Sequence, residues 1–358
     1  MSAKQFAVVV SGFPRLSETF ATNELLALAK RRALAAIFAT KPGDDSVLQP
    51  GNKILEKFTV RLPDGSEREQ SEFLANTLRK RTVTAIHSYF AHRPATVAEL
   101  GAGQLGIPFG FSVHARDARK VCPRELRERS QRAACIIACN EDAAAEIGFT
   151  GARVQLVPHG VDLSRFTHLP PIVTQELRIL AVGRLVEKKG FQFLIDAVSR
   201  LKFPFQLRIV GDGPEEECLA QMIVNKRVMD KVSILRPQSH DELPQEFHRA
   251  HVVVVPSIVD ASGDRDGLPN VVLEAMASGR PVIGSDVGAI SAVVRTDKTG
   301  ILIPPRDVTA LAAALTKMAT EPSLREHLGR NARDLVERDY ELGKCSDRFY
   351  HVLENAYA

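Results

Sequence analysis

Short apolar runs rich in β-branched residues alternate with stretches of helical spacing along the whole 358-residue chain, and this alternation limits the fold more than any other feature. A helix between successive strands supplies the crossover that parallel pairing needs, so the pattern predicts an α/β protein with parallel sheets. The expected strands are 6–10, 34–39, 83–87, 109–113, 135–138 and 154–157, then 177–182, 205–210, 231–235, 252–255, 281–284 and 301–303. Six precede and six follow the stretch Thr167-His168-Leu169-Pro170-Pro171-Ile172-Val173-Thr174, whose prolines mark it as a linker. The expectation is two Rossmann-like domains, 1–168 and 175–340, facing one another across a cleft, with 341–358 as a final helix. Phe349, Val352 and Leu353 fall at helical spacing in that last segment.

A composition of 44% apolar and 25% charged residues is that of a globular chain rather than a disordered one. Phe6-Ala7-Val8-Val9-Val10 is too short for a targeting segment and reads as a buried first strand, while Val252 to Val255 is far below the roughly 18 residues of a spanning helix. A cytoplasmic enzyme is therefore expected. Five cysteines without a CxxC pair suggest neither a disulfide framework nor a zinc site.

In open α/β sheets ligands sit beyond the carboxyl ends of the strands, and the residues with chemical potential follow those ends. Gly12 follows 6–10, His87 closes 83–87, His114 follows 109–113, Arg184 follows 177–182, and Asp266 lies in the loop after 252–255. In Gly183-Arg184-Leu185-Val186-Glu187-Lys188-Lys189-Gly190 a glycine turn carries a forked guanidinium and a compact ammonium five residues on, a pair suited to a diphosphate. Later, Asp266-Gly267-Leu268-Pro269-Asn270 opens a helix that carries Glu274 eight positions after Asp266. Free N–H groups of the first turn favour phosphate, and the two acids can accept hydrogen bonds from hydroxyls on either side of it. A molecule with sugar hydroxyls flanking a diphosphate is a nucleotide sugar. Gly211-Asp212-Gly213-Pro214 lacks the third glycine of a dinucleotide fingerprint and reads as a structural turn. Near the start, Ser11-Gly12-Phe13-Pro14-Arg15 leads into a helix capped by Ser17 or Thr19.

The stretch from Asp266 to Glu274 resembles the acid-x7-acid signature of the family 4 retaining glycosyltransferases, with Asp266 where that family usually has Glu. The resemblance covers nearly the whole chain and is strongest over 177–304. It implies the GT-B architecture and transfer of a hexose-type sugar from a nucleotide diphosphate sugar to a glycan, lipid-linked or small-molecule acceptor. Arg184 and Lys189 (rather than Lys188) would hold the donor diphosphate, Glu274 the ribose hydroxyls, Asp266 the donor sugar, and His114 the sugar near its reacting carbon. Gly12 and Gly267, Leu268, Pro269 and Asn270 would contribute main-chain contacts to the donor, and Arg236 stands in the loop that resembles the one beside the nucleotide base. The openings around Arg15, His87 and Arg116 are similar to those of members that build bacterial exopolysaccharides, which places these three on the acceptor side. The last helix would cross back onto the first domain.

With basic groups to neutralise the leaving diphosphate, no cofactor and no metal are expected; the nearest Asp-x-Asp, Asp264-Arg265-Asp266, already ends in the sugar-binding acid. Seven basic residues against three acids lie between Arg116 and Arg132. They read either as a solvated helix face or as a patch for an anionic lipid headgroup at the inner face of a membrane. The chain has no Trp and no nucleic-acid module, so no nucleic acid is expected as a partner. Two other readings share the donor site: a nucleotide-sugar epimerase, and a non-catalytic binding protein.

Overall fold

The computed structural model describes residues 4–15, 18–43, 50–114, 121–148, 150–170, 173–239 and 241–358. Two compact units emerge, one formed by Met1–Gly160 with Leu342–Ala358, the other by Val161–Glu341. The division falls at Gly160/Val161 instead of within 167–174, so the segment 161–168 belongs to the second unit.

In the first unit, strands β1 (Phe6–Phe13), β2 (Leu34–Pro42), β3 (Thr59–Arg61), β4 (Ala85–Tyr89), β5 (Phe109–Val113), β6 (Cys135–Ala138) and β7 (Gln155–Leu156) form one parallel sheet in the order β3-β2-β1-β4-β5-β6-β7. Helices α1 (Thr19–Lys30), α2 (Pro50–Leu55), α3 (Glu67–Leu78), α4 (Arg93–Leu105), α5 (Pro123–Arg132) and α6 (Glu141–Gly148) join them. Side chains alternate across the pleat: Ala7 and Val9 of β1 enter one core cluster, Phe6, Val8 and Val10 the other. Both faces are thereby covered, as a parallel sheet requires.

The second unit repeats this plan with β8 (Leu177–Val182), β9 (Phe205–Val210), β10 (Val232–Leu235), β11 (Val252–Val255), β12 (Val282–Ser285) and β13 (Gly300–Ile303), ordered β10-β9-β8-β11-β12-β13. Its helices are α7 (Phe191–Val198), α8 (Glu216–Asn225), α9 (Leu243–Arg249), α10 (Asn270–Ala277), α11 (Ile290–Val293), α12 (Val308–Thr320) and α13 (Pro322–Asp339). Strand order reverses direction between β8 and β11, the switch point at which doubly wound sheets bind ligands.

The chain ends in α14 (Leu342–Ala356), which belongs to the first unit. Phe349, Leu353 and Tyr357 are buried in the cluster that holds Phe6 and Val8, at a gain of about 2 kcal/mol per side chain. Val352 is only half-buried. Among the described residues no helix is long and apolar enough to cross a membrane.

Three local expectations are corrected. Strand β3 has no counterpart in the sequence reading, because three half-exposed edge residues carry no continuous apolar run. Strand β1 runs on through Gly12 to Phe13, three residues beyond the expected 6–10. Gly12 pairs with Lys41, and a Cβ there would stand 2.6 Å from the Pro42 carbonyl oxygen, so the glycine serves close strand approach. Helix α1 is capped at Glu18 without a side-chain cap bond and Thr19 is already helical, while Ser17 lies outside the described residues.

Candidate active site

The loops after β8 and β11 leave the second sheet side by side. The short turn Glu187–Lys189 ends at Gly190, whose φ of 66° and position 2.0 Å from the Pro256 carbonyl oxygen (measured to an added Cβ) admit no side chain. Ile258 N–H donates to the Lys188 carbonyl at 2.8 Å, which ties the two loops together. The Lys189 side chain passes over Gly183, with Cε 3.3 Å from where a Cβ would stand. Behind it, Gly211 and Gly213 approach the carbonyls of Gly183 and Leu185, and Leu185 N–H donates to Asp212 O at 2.6 Å. The Gly-Asp-Gly-Pro segment is thus a structural brace for the Arg184 loop.

This packing delivers both lysines to Asp266. Lys189 Nζ donates to Asp266 Oδ2 at 2.8 Å, Ser257 Oγ donates to the same oxygen at 2.7 Å, and Lys188 Nζ stands 3.6 Å from Oδ1 and 3.3 Å from Asp264 Oδ2. Asp266 is only 7% exposed. Burial alone would raise its pKa, but Lys189, Lys188 and the Ser257 hydroxyl outweigh burial and hold the carboxyl below its usual range. Lys188 therefore joins Lys189 at the acid rather than giving way to it. Ser257 and Asp264 also belong to the cluster; their positions between a strand end and the acid were the available signal.

After Asp266 the chain passes Gly267, Leu268 and Pro269, the last in an extended conformation, and enters α10 at Asn270. Gly288, at φ 58°, packs its Cα against this turn: an added Cβ would stand 2.1 Å from the Asp266 carbonyl oxygen, and Ala289 N–H donates to Gly267 O at 3.1 Å. One turn into α10, Glu274 is 7% exposed. Burial pushes its carboxyl up to about 7 and the Arg165 guanidinium pulls against that rise. Arg165 lies in the stretch reassigned to the second unit and was absent from the sequence reading. Arg184 is exposed and has no hydrogen-bond or ion-pair partner for its guanidinium among the described residues, whereas Arg236 lies at the surface bonded to Glu242 at 2.9 Å.

In the first unit His114 follows β5 and is surrounded by rings: Phe20 at 4.7 Å, Phe90 at 4.9 Å, His159 stacked at 5.1 Å and Tyr89 at 5.9 Å between centroids. Burial, reinforced by His159 and His87, keeps His114 well below the usual imidazole range, so it is neutral at pH 7. His159 was missed, although it follows β7 as His114 follows β5. Its Nδ1 donates to Glu24 Oε1 at 2.7 Å, and Tyr89 O–H donates to Glu24 Oε2 at 2.5 Å. Burial would lower the His159 pKa; Glu24 and Cys139 raise it to about 10, so the ring is an imidazolium paired with a buried carboxylate.

His87, expected on the acceptor side, has no exposed surface. It lies inside β4 rather than at its end, is 0% exposed, and both ring nitrogens are engaged, Nδ1 with Tyr357 Oη and Nε2 with Ser112 Oγ, each at 2.8 Å. Burial holds its pKa at about 3, and its role is to seat the C-terminal helix. Arg15 is half-buried and paired with Glu18 at 2.8 Å. Arg116, Arg119 and Lys120 lie outside the described residues. Of the remaining basic run, Arg129 is 2% exposed and bonded to Glu99, Glu125, Thr96 and the Ala91 carbonyl, Arg132 pairs with Glu99, and Arg124 with Glu128. Those three charges are spent within the fold.

Comparison with known proteins shows the family of this chain. Residues 170–335 match the family model of glycosyl transferases group 1, and residues 17–165 that of glycosyltransferase family 4. An Escherichia coli glycosyltransferase named for colanic acid biosynthesis is 30% identical over 259 residues, which are 69% of this chain and 63% of the relative. The amylovoran biosynthesis glycosyltransferase of Erwinia amylovora is 32% identical over 212 residues, 58% of this chain and 52% of that one. The chain thus spans under two thirds of the length of these two relatives. Among solved structures, HepE of Anabaena in complex with UDP superposes with a TM-score of 0.84 at 15% identity, covering 98% of this chain and all of that one. This likeness shows the GT-B fold.

Proposed function

Because the chain belongs to the group 1, family 4 glycosyltransferases, we propose that it moves a hexose-type sugar from a nucleotide diphosphate sugar to a hydroxyl of a glycan or lipid-linked acceptor, with retention and without a metal. The observation that carries this reading is Asp266: a buried carboxylate kept ionised by Lys188, Lys189 and Ser257 at the switch point, beside a helix that presents a second acid, Glu274.

Ionised and buried, Asp266 is an acceptor-only group suited to the donor sugar's 3- or 4-hydroxyl, and Glu274 to the ribose diol. Arg184, Lys189 and the N–H groups from Gly267 onward neutralise the diphosphate as the bond from C1 to the phosphate oxygen breaks, which is electrostatic stabilisation of the transition state. The acceptor oxygen bonds to C1 on the face the phosphate leaves, and its proton passes to the departing phosphate oxygen. His114, being neutral, hydrogen-bonds to the sugar rather than acting as an acid. The exopolysaccharide names of the relatives support a polysaccharide or its lipid-linked precursor as acceptor.

The test is transfer by the purified protein from UDP-, GDP-, ADP- and TDP-sugars with EDTA present. One donor should raise the thermal midpoint and slowly release its nucleoside diphosphate, and Lys189→Ala and His114→Ala should each lower turnover by about 100-fold or more. Activity that EDTA abolishes would defeat the metal-independent mechanism, and undiminished turnover in either variant would remove that residue from it. Free epimer formed without acceptor would favour an epimerase.

A further inference from the structure

At the amino ends of β11 and β12, the end of the second sheet opposite to Asp266, lies a cavity of about 420 Å3. Its charged lining consists of Arg280, Arg325 and Arg330 against the single acid Glu326. Arg280 is 2% exposed, yet among the described residues its guanidinium donates only to carbonyls: Phe247 O at 2.9 Å, Leu169 O at 3.0 Å and His248 O at 3.3 Å. Burial pulls its pKa down to about 10, still far above neutrality, so a full positive charge is buried there without a carboxylate partner among the described residues. Arg325 donates to the Met318 and Ala319 carbonyls, and Arg330 is exposed with no hydrogen bond or ion pair among the described residues. A buried charge without a counter-charge is costly, and a charged group of perturbed pKa lining a cavity is a candidate functional site.

The walls are fixed. The His168 ring lies against Gly279, 2.4 Å from where a Cβ would stand, and Gly329 of α13 packs on the Gly279 carbonyl at 2.2 Å by the same measure. Pro170, Pro281 and the face of His168 supply apolar surface beside the guanidinium groups. Three guanidinium groups less one carboxylate leave two positive charges, which match the charge a phosphate monoester carries near pH 7. We propose that this cavity is a second ligand site, separate from the donor site, that takes a small phosphate monoester: the phosphate on Arg280, Arg325 and Arg330, the carbon skeleton against the prolines.

Calorimetric titration of the whole protein with glycerol 3-phosphate, inorganic phosphate and glycerol tests this. Glycerol 3-phosphate should bind with millimolar affinity or better, inorganic phosphate more weakly, and glycerol not at all. Arg330→Ala should weaken the ester about ten-fold, the loss of one charge-assisted contact. Glu326→Gln, which removes the opposing charge from an exposed position, should tighten it about three-fold. Arg184→Ala should leave the affinity unchanged, since Arg184 follows the carboxyl end of β8. Absence of binding overturns the proposal, as does affinity that Arg184→Ala lowers and Arg330→Ala does not; equal affinity for ester and inorganic phosphate overturns the assigned role of the apolar wall.

Discussion

Replacing Glu24 by Gln removes one charge from the pair beneath His114 and little else. The amide oxygen can still accept from Tyr89 O–H, and the amide N–H can donate to the Nδ1 of a neutral His159, so the local geometry survives at the cost of the charge. The His159 pKa stands at about 10 against an ordinary 6.5, a rise of about 3.5 units at 1.36 kcal/mol each, or about 5 kcal/mol if the shift were fully realised. Breaking a buried ion pair costs about 3–5 kcal/mol in other proteins, so we expect that range near neutral pH. For a first unit of this size it lowers the midpoint by about 10 °C. The sign with pH is fixed. A base whose folded pKa is raised contributes its full stability below its unfolded value, and loses that contribution as pH rises through the folded value. The gap between wild type and Glu24→Gln should therefore be widest at and below pH 6.5 and close steadily as pH rises through 10, where His159 gives up its proton. Denaturant midpoints of both proteins from pH 6 to 10.5 measure it. A gap that stays constant over that range would refute the assignment of an imidazolium to His159, whatever its size.

Two further outcomes follow from the donor-side geometry. Gly190→Ala places a Cβ 2.0 Å from the Pro256 carbonyl oxygen at φ 66°, so we expect a loss of about 2–3 kcal/mol in a urea titration together with lost transfer, because the same contact sets Lys189; a stable, active variant would show that the two loops are not held there. Glu274 is raised to about 7 by burial, and only its ionised form accepts hydroxyl hydrogen bonds on both oxygens. The KM for donor should therefore fall as pH rises through 7, and Glu274→Gln should flatten that dependence; an unchanged profile in the variant would move the titration elsewhere.

The parallel architecture was legible because a buried parallel strand is an apolar run bounded by turns, as Val252 to Val255 shows with all four residues buried. Twelve of the thirteen strands follow from such runs in the sequence, although β7 keeps only the half-buried Gln155 and the exposed Leu156. Strand β3 does not, since Thr59, Val60 and Arg61 gain their place only from β2 beside them. The unit boundary shifted for a related reason. Prolines mark where regular structure stops, while Gly160/Val161 is set by contacts with Tyr340 and Leu342, nearly two hundred residues away.

Strand ends told which residues to inspect but not what each one meets. The rule selected His87 and His114 and passed over His159, yet the ring at the end of β7 carries the charge, while His87 is held in the middle of β4 by the hydroxyls of Ser112 and Tyr357. Charge state depends on the partner: His114 and His159 are chemically identical and stacked 5.1 Å apart, but Glu24 reaches only the second. That asymmetry has a consequence for the reaction. A neutral His114 can be kept so next to an imidazolium, because adding a second positive charge at that distance is opposed by repulsion in a poorly screened interior. Burial is the larger cause of that neutrality, so a defect at Glu24 that discharges His159 should leave His114 neutral and cost stability before it costs turnover.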